Sequence, residues 1–82
     1  LGIEDEHQSA VYPNPNDGTF YIEGAARDIQ IFSMAGQRIA FESVTTGDKS
    51  EILVKGIVPG LYILRYREGH AIRSVKIIIR QE

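Results

Sequence analysis

Residues 55–79 read KGIVPGLYILRYREGHAIRSVKIII, and this stretch decides the fold. Successive side chains on a β-strand point to opposite faces, so apolar residues at every second position mark a half-buried strand. Tyr62, Leu64 and Tyr66 share one face of such a strand. Glu68, Gly69 and His70 follow as a tight turn, Gly69 being the residue that tolerates positive φ. On the return strand Val75, Ile77 and Ile79 point inward, and Arg73 stands where that row runs out near the turn. Ser74, Lys76 and Arg80 face the other way. Upstream, Gly56 and the Pro59–Gly60 pair bend the chain, and Pro-Gly suits the middle of a type II turn. The spacing predicts an antiparallel hairpin.

The same period recurs toward the start. Val11 and Tyr12 form a short strand that Pro13 stops, because proline donates no ladder hydrogen bond. TFYIE places Phe20 and Ile22 on one face, and DIQIFS repeats the pattern with Ile29 and Ile31. A turn around Gly36 leads to a strand carrying Ile39 and Phe41. TTGDKS is a further turn using Gly47, and EILV then points Ile52 and Val54 inward. β-Branched residues and glycines recur too often for a helix. The expectation is an all-β fold, a seven-stranded immunoglobulin-like antiparallel β-sandwich over residues 11–82. Residues 1–10, LGIEDEHQSA, are acidic and aperiodic and read as a flexible leader or linker.

An 82-residue chain makes one small domain, and 43% hydrophobic residues suffice for its core. A net charge of −2 gives no basic field for a phosphate backbone, so nucleic acid is not an expected partner. The absence of cysteine excludes disulfides and thiolate chemistry. No stretch approaches the roughly 18 apolar residues of a membrane span, so no membrane insertion is expected. LGIEDEHQ has neither the basic end nor the apolar core of a signal peptide.

Catalytic and metal sites fare no better. The two histidines, His7 and His70, lie far apart in sequence, whereas a metal site needs three or four convergent ligands. Asn14, Asn16 and Asp17 supply one carboxylate, too few for calcium. An Asx-turn, in which side-chain oxygens accept from backbone N–H groups, explains them better. The five serines include none in a nucleophile-elbow context. PNPNDG has one glycine and precedes a strand, so it is not a phosphate loop. No catalytic residue, cofactor or metal is expected. Tyr21 and Phe32 fall on outer faces and are the candidates for an exposed aromatic patch. The Arg/Lys set on the last two strands reads as a solvated face or as an anion-reading or partner-docking surface.

Three blocks together carry a family resemblance. They are YPNP at Tyr12, Pro13, Asn14 and Pro15, followed by DGTFYI with Gly18; IQIFSMAGQRI around Gly36; and ILVKGIVPGLYIL with its Gly-x-Tyr at Gly60 and Tyr62. A final KIIIRQE completes the pattern. In their order and spacing these blocks resemble the C-terminal sorting domain of the type IX (Por) secretion system, type A, from Tyr12 to Glu82. Leu53 and Val58 depart from it, standing where a polar residue and a proline are common.

The resemblance implies delivery, not catalysis. Such domains end cargo proteins of Bacteroidetes-group bacteria that reach the periplasm by the general pathway. The outer-membrane translocon recognises the folded domain, and a cysteine-protease-like sortase removes it. The cargo then rests on the outer-membrane surface, often joined to an anionic lipopolysaccharide, or outside the cell. On that scheme PNPNDG fixes the entrance to the domain just after a cleavable leader in residues 1–10. The last strand, Ala71 to Ile79, is an expected edge, and exposed edges add strands to partner sheets. Ser74, Lys76, Ile78, Arg80, Gln81 and Glu82 are the expected translocon contact, and the same edge permits a weak dimer. The alternative is an immunoglobulin- or fibronectin-like accessory module binding carbohydrate or protein, which predicts a contiguous aromatic patch around Tyr21 and Phe32. A third reading is a spacer domain, tolerant of change anywhere on its surface.

Overall fold

The computed structural model describes residues 10–80. Seven strands follow one another: β1 (Val11–Tyr12), β2 (Thr19–Glu23), β3 (Ala26–Ser33), β4 (Glu42–Thr46), β5 (Lys49–Leu53), β6 (Gly60–Glu68) and β7 (Ala71–Ile79). They pair antiparallel into a four-stranded sheet, β1-β2-β5-β4, and a three-stranded sheet, β3-β6-β7. There is no helix among the described residues beyond a single 3₁₀ position at Ala10.

The alternation read from the sequence builds the core. Phe20, Ile22 and Ile52 from the four-stranded sheet and Ile31, Leu64 and Ile77 from the three-stranded sheet are all fully buried. Each contributes roughly 1.5–3 kcal/mol by leaving water. β6 and β7 pair over their whole length, Gly60 opposite Ile79 through Glu68 opposite Ala71, around a turn with Gly69 at φ 63°. One buried residue escaped the sequence reading. Ser50 sits fully inside, its hydroxyl 3.2 Å from that of Thr45 across the strand pair.

Three expected local features come out differently. Ile39 and Phe41 do not lie on a strand; residues 37–41 form an irregular arm, and β4 begins only at Glu42. The arm leaves β3 in one sheet to reach β4 in the other, so it cannot stay in a single ladder. It still anchors itself, since Ile39 and Phe41 pack against the core and Ile39 N–H donates to Ile31 C=O at 2.8 Å. Second, the Pro59–Gly60 pair is no type II turn. Gly60 begins β6 at φ 158°, while the left-handed residue of that connection is Gly56 at φ 63°. Third, β3 starts before Asp28 and carries an irregularity, its register with β6 shifting between Arg27 and Gln30 where Asp28 adopts φ 52°.

Candidate functional site

β7 is an edge strand, and a strand paired on one side points half of its N–H and C=O groups outward. At Lys76–Arg80 those groups are already taken by the turn after β1. The Asn14 side-chain amide spans two of them, its Nδ2 donating to Lys76 C=O at 2.9 Å and its Oδ1 accepting from Ile78 N–H at 3.0 Å. It stands in for the peptide group of a neighbouring strand. Two residues on, the backbone takes over: Asn16 N–H donates to Ile78 C=O at 2.9 Å and Arg80 N–H donates to Asn16 C=O at 2.7 Å. The contact runs parallel, Asn16 opposite Ile79. A rigid Pro-Asn-Pro-Asn stretch is thus stitched along the C-terminal half of the last strand, which ties β1 of one sheet to β7 of the other.

The stitch is braced from behind. Asn16 is buried; its Oδ1 accepts from Gly18 N–H at 2.9 Å, the expected Asx-turn, and its Nδ2 donates to Pro13 C=O at 3.1 Å. Asp17 repeats the Asx pattern on Thr19 N–H at 3.3 Å. Gly18 has φ 114°, and a Cβ there would lie 2.8 Å from Val54 C=O, so only glycine fits. Pro13 and Pro15 are exposed; their rings fix the turn's shape, and Pro13 also supplies the carbonyl that Asn16 bonds.

The other family-pattern residues serve the frame. Gly36 closes the turn after β3, its N–H donating to Ser33 C=O at 2.9 Å with φ 89°. The Tyr62 hydroxyl donates to Val58 C=O, so the start of β6 is fastened to the loop before it. Tyr12 lies on the outer face of the four-stranded sheet with its ring 5.6 Å from that of Tyr21, and its hydroxyl donates to Glu23. Lys49 Nζ sits 4.9 Å from the Tyr21 ring centre. The neighbouring Tyr12 hydroxyl holds the Lys49 ammonium above its ordinary pKa. Tyr66, in the core, has its own pKa raised by burial.

Ser74, Lys76, Ile78 and Arg80 are all exposed, and on β7 the first three alternate with the inward residues. Leu61 stands directly opposite Ile78 on β6, also exposed. Gln81, Glu82 and His7 fall outside the described residues, as does all of the expected leader except Ala10. Tyr21 and Phe32 do not make one patch. Tyr21 is on β2 and Phe32 on β3, on the outward faces of opposite sheets, so the aromatic platform demanded by a sugar-binding module is not formed by that pair. Among the described residues no three acidic or histidine side chains gather as a metal site.

The reach of Asn14 across more than sixty residues is what local reading missed. An asparagine between prolines signals a turn; nothing in the neighbouring residues names its distant partner.

Fold and site define a small two-sheet β-domain whose entrance turn is sewn to its last strand. The chain belongs to the family described as secretion system C-terminal sorting domain, which it matches over residues 10–80. It is a type IX secretion sorting signal: a domain fused to a cargo, engaging that secretion system, for export across the outer membrane toward the cell surface or beyond. No curated protein sequence matches the chain.

Proposed function

We propose that the domain is an address read on its side-chain face and then discarded. It travels through the periplasm behind its cargo, presents the outer face of β7 to the translocon, and is removed by a sortase cutting within residues 1–10. It acts as a substrate and a signal and performs no catalysis. The observation that carries this is the family match over residues 10–80.

The geometry supports a side-chain face over a backbone edge as the surface that is read. Asn14 and Asn16 hold the backbone of Lys76–Arg80, so strand addition there would first have to displace them. The exposed side chains of Ser74, Lys76, Ile78 and Arg80, with Leu61 beside Ile78, need no such opening. They combine an apolar centre with flanking positive charges, and complementary charge on a partner raises association rate and fixes register. Gln81 and Glu82 belong to the proposed contact by sequence alone and lie outside the described residues. We also read the architecture as immunoglobulin-like. Its sheet orders, 1-2-5-4 and 3-6-7, correspond to the ABED and CFG sheets of a constant-type domain, and Tyr62 bonding to the backbone upstream parallels a tyrosine corner.

The test fuses residues 1–82 to a passenger in a type IX-competent bacterium. The native fusion is expected at the cell surface, and the Lys76→Glu, Arg80→Glu double variant is expected to stay in the periplasm with an unchanged circular dichroism spectrum. Normal surface delivery of that variant would overturn the assigned reading face, and retention of the native fusion would overturn the address itself.

A further inference from the structure

A cleft of about 610 Å³ opens beside the irregularity in β3, where the 37–41 arm leaves that strand. It is lined by Arg38 on the arm and by Arg65 and Arg67 on β6, all three exposed. One carboxylate faces them: Asp28 Oδ2 lies 3.7 Å from Arg67 Nε in a loose, exposed pair. Arg38 and Arg65 form no ion pair with any described residue. Three guanidinium groups against one carboxylate make a positive spot on a chain whose net charge is −2. Half-buried Ile39 and Phe41 add apolar lining next to that charge.

The strand beside the cleft, β3, is also an edge. The arm covers the outer edge of β3 only at its far end, through Ser33 N–H to Gln37 C=O at 2.9 Å and Ile39 N–H to Ile31 C=O. β3 has a described strand on one side only, β6, so its other edge near the cleft has no strand beside it, and the irregularity at Asp28 and Ile29 breaks the β6 ladder there. Each feature has a matching chemistry. Planar guanidinium forks bind carboxylates through paired charge-assisted hydrogen bonds. An open strand edge takes up an extended peptide, and apolar lining beside it takes alternate side chains. An inorganic anion would use the arginines and leave the edge and the apolar lining idle.

The geometry points to this cleft as a binding site for an extended acidic peptide. The peptide lies through the cleft beside the β3 edge, places an aliphatic side chain on Ile39 and Phe41, and sets a carboxylate between Arg38 and Arg65. Asp28 is the resident competitor for the same guanidinium groups. The site stands apart from the secretion address, and binding is measured on the purified 82-residue chain with no secretion machinery present.

The probe is a fluorescein-labelled heptapeptide of alternating valine and glutamate, followed by anisotropy at low ionic strength. The same peptide with glutamine for glutamate is expected to bind about tenfold or more weakly, the loss of at least one charge-assisted contact. Arg38→Glu with Arg65→Glu is expected to abolish binding; both side chains are exposed, so the fold survives, and circular dichroism checks it. Asp28→Asn removes the competing charge while keeping a residue that accepts φ 52°, and is expected to tighten binding several-fold. Equal binding of the glutamine peptide, unchanged binding by the arginine double variant, or inorganic phosphate holding the site as tightly as the peptide would each overturn the proposal.

Discussion

The edges at β7 and β4 are treated in opposite ways. β7 is nine residues long and ends in Ile77, Ile78 and Ile79; its outward backbone at Lys76–Arg80 is covered by Asn14 and Asn16. β4 is five residues, ESVTT, every one exposed, and no described strand lies beyond it. An open edge invites pairing with another chain, and the hazard grows with length and β-branched apolar content. A short polar edge needs no cover; an isoleucine-rich one does. The YPNP block is therefore an edge guard as much as an entrance turn, and a domain that directs export across the outer membrane has a physical reason to keep it.

If that contrast holds, damage to the guard should exceed damage at β4 by several-fold. Gly18→Ala should have the largest effect. It sets a Cβ 2.8 Å from Val54 C=O at φ 114°, beside the bond from Val54 N–H to Gly18 C=O that joins the turn to the loop after β5. The expected loss is roughly 3 kcal/mol, from overlap plus a strained backbone, read from urea unfolding. An unchanged midpoint would mean that the turn is not tied to the sheets, and the contrast would collapse.

Removing the asparagines sharpens the comparison further. Asn16→Ala leaves the buried Gly18 N–H without its side-chain acceptor and should cost about 1–3 kcal/mol. Asn14→Ala removes two exposed bonds, at about 1 kcal/mol, but uncovers Lys76 C=O and Ile78 N–H. Its signature should be self-association in sedimentation velocity, out of proportion to its small stability loss. A strictly monomeric Asn14→Ala protein would show that the edge was never the hazard.

What could be read from the residues alone follows the same division. Tyr62, Leu64 and Tyr66, and Ile77 with Ile79, announced their strands because burial on one face imposes a period of two. Ile39 and Phe41 imitate that period while crossing between sheets, since an arm that buries two anchors two residues apart looks like a strand. Asn16 was legible as an Asx-turn because its partner, Gly18, is two residues away. Asn14 was not, because the groups it satisfies lie sixty-two and sixty-four residues further on. The cleft arginines share this fate: Arg38 joins Arg65 and Arg67 only through the path of the arm.

The smallest effect belongs to β4, and it is the one that closes the comparison. Val44 is 62% exposed and stands opposite Glu51 on β5. Val44→Lys removes little buried area and sets a positive charge across from a negative one, a cross-strand pair that contributes a few tenths of a kcal/mol at a solvated site. Lower β-propensity of lysine opposes it by a similar amount. The expected change in unfolding free energy is therefore within about 0.5 kcal/mol of zero, with no change in oligomeric state. A loss above about 1 kcal/mol would mean that Val44 is covered in solution, since only burial makes a valine worth that much. β4 would then be a guarded edge too, and the unequal treatment of the two edges would vanish.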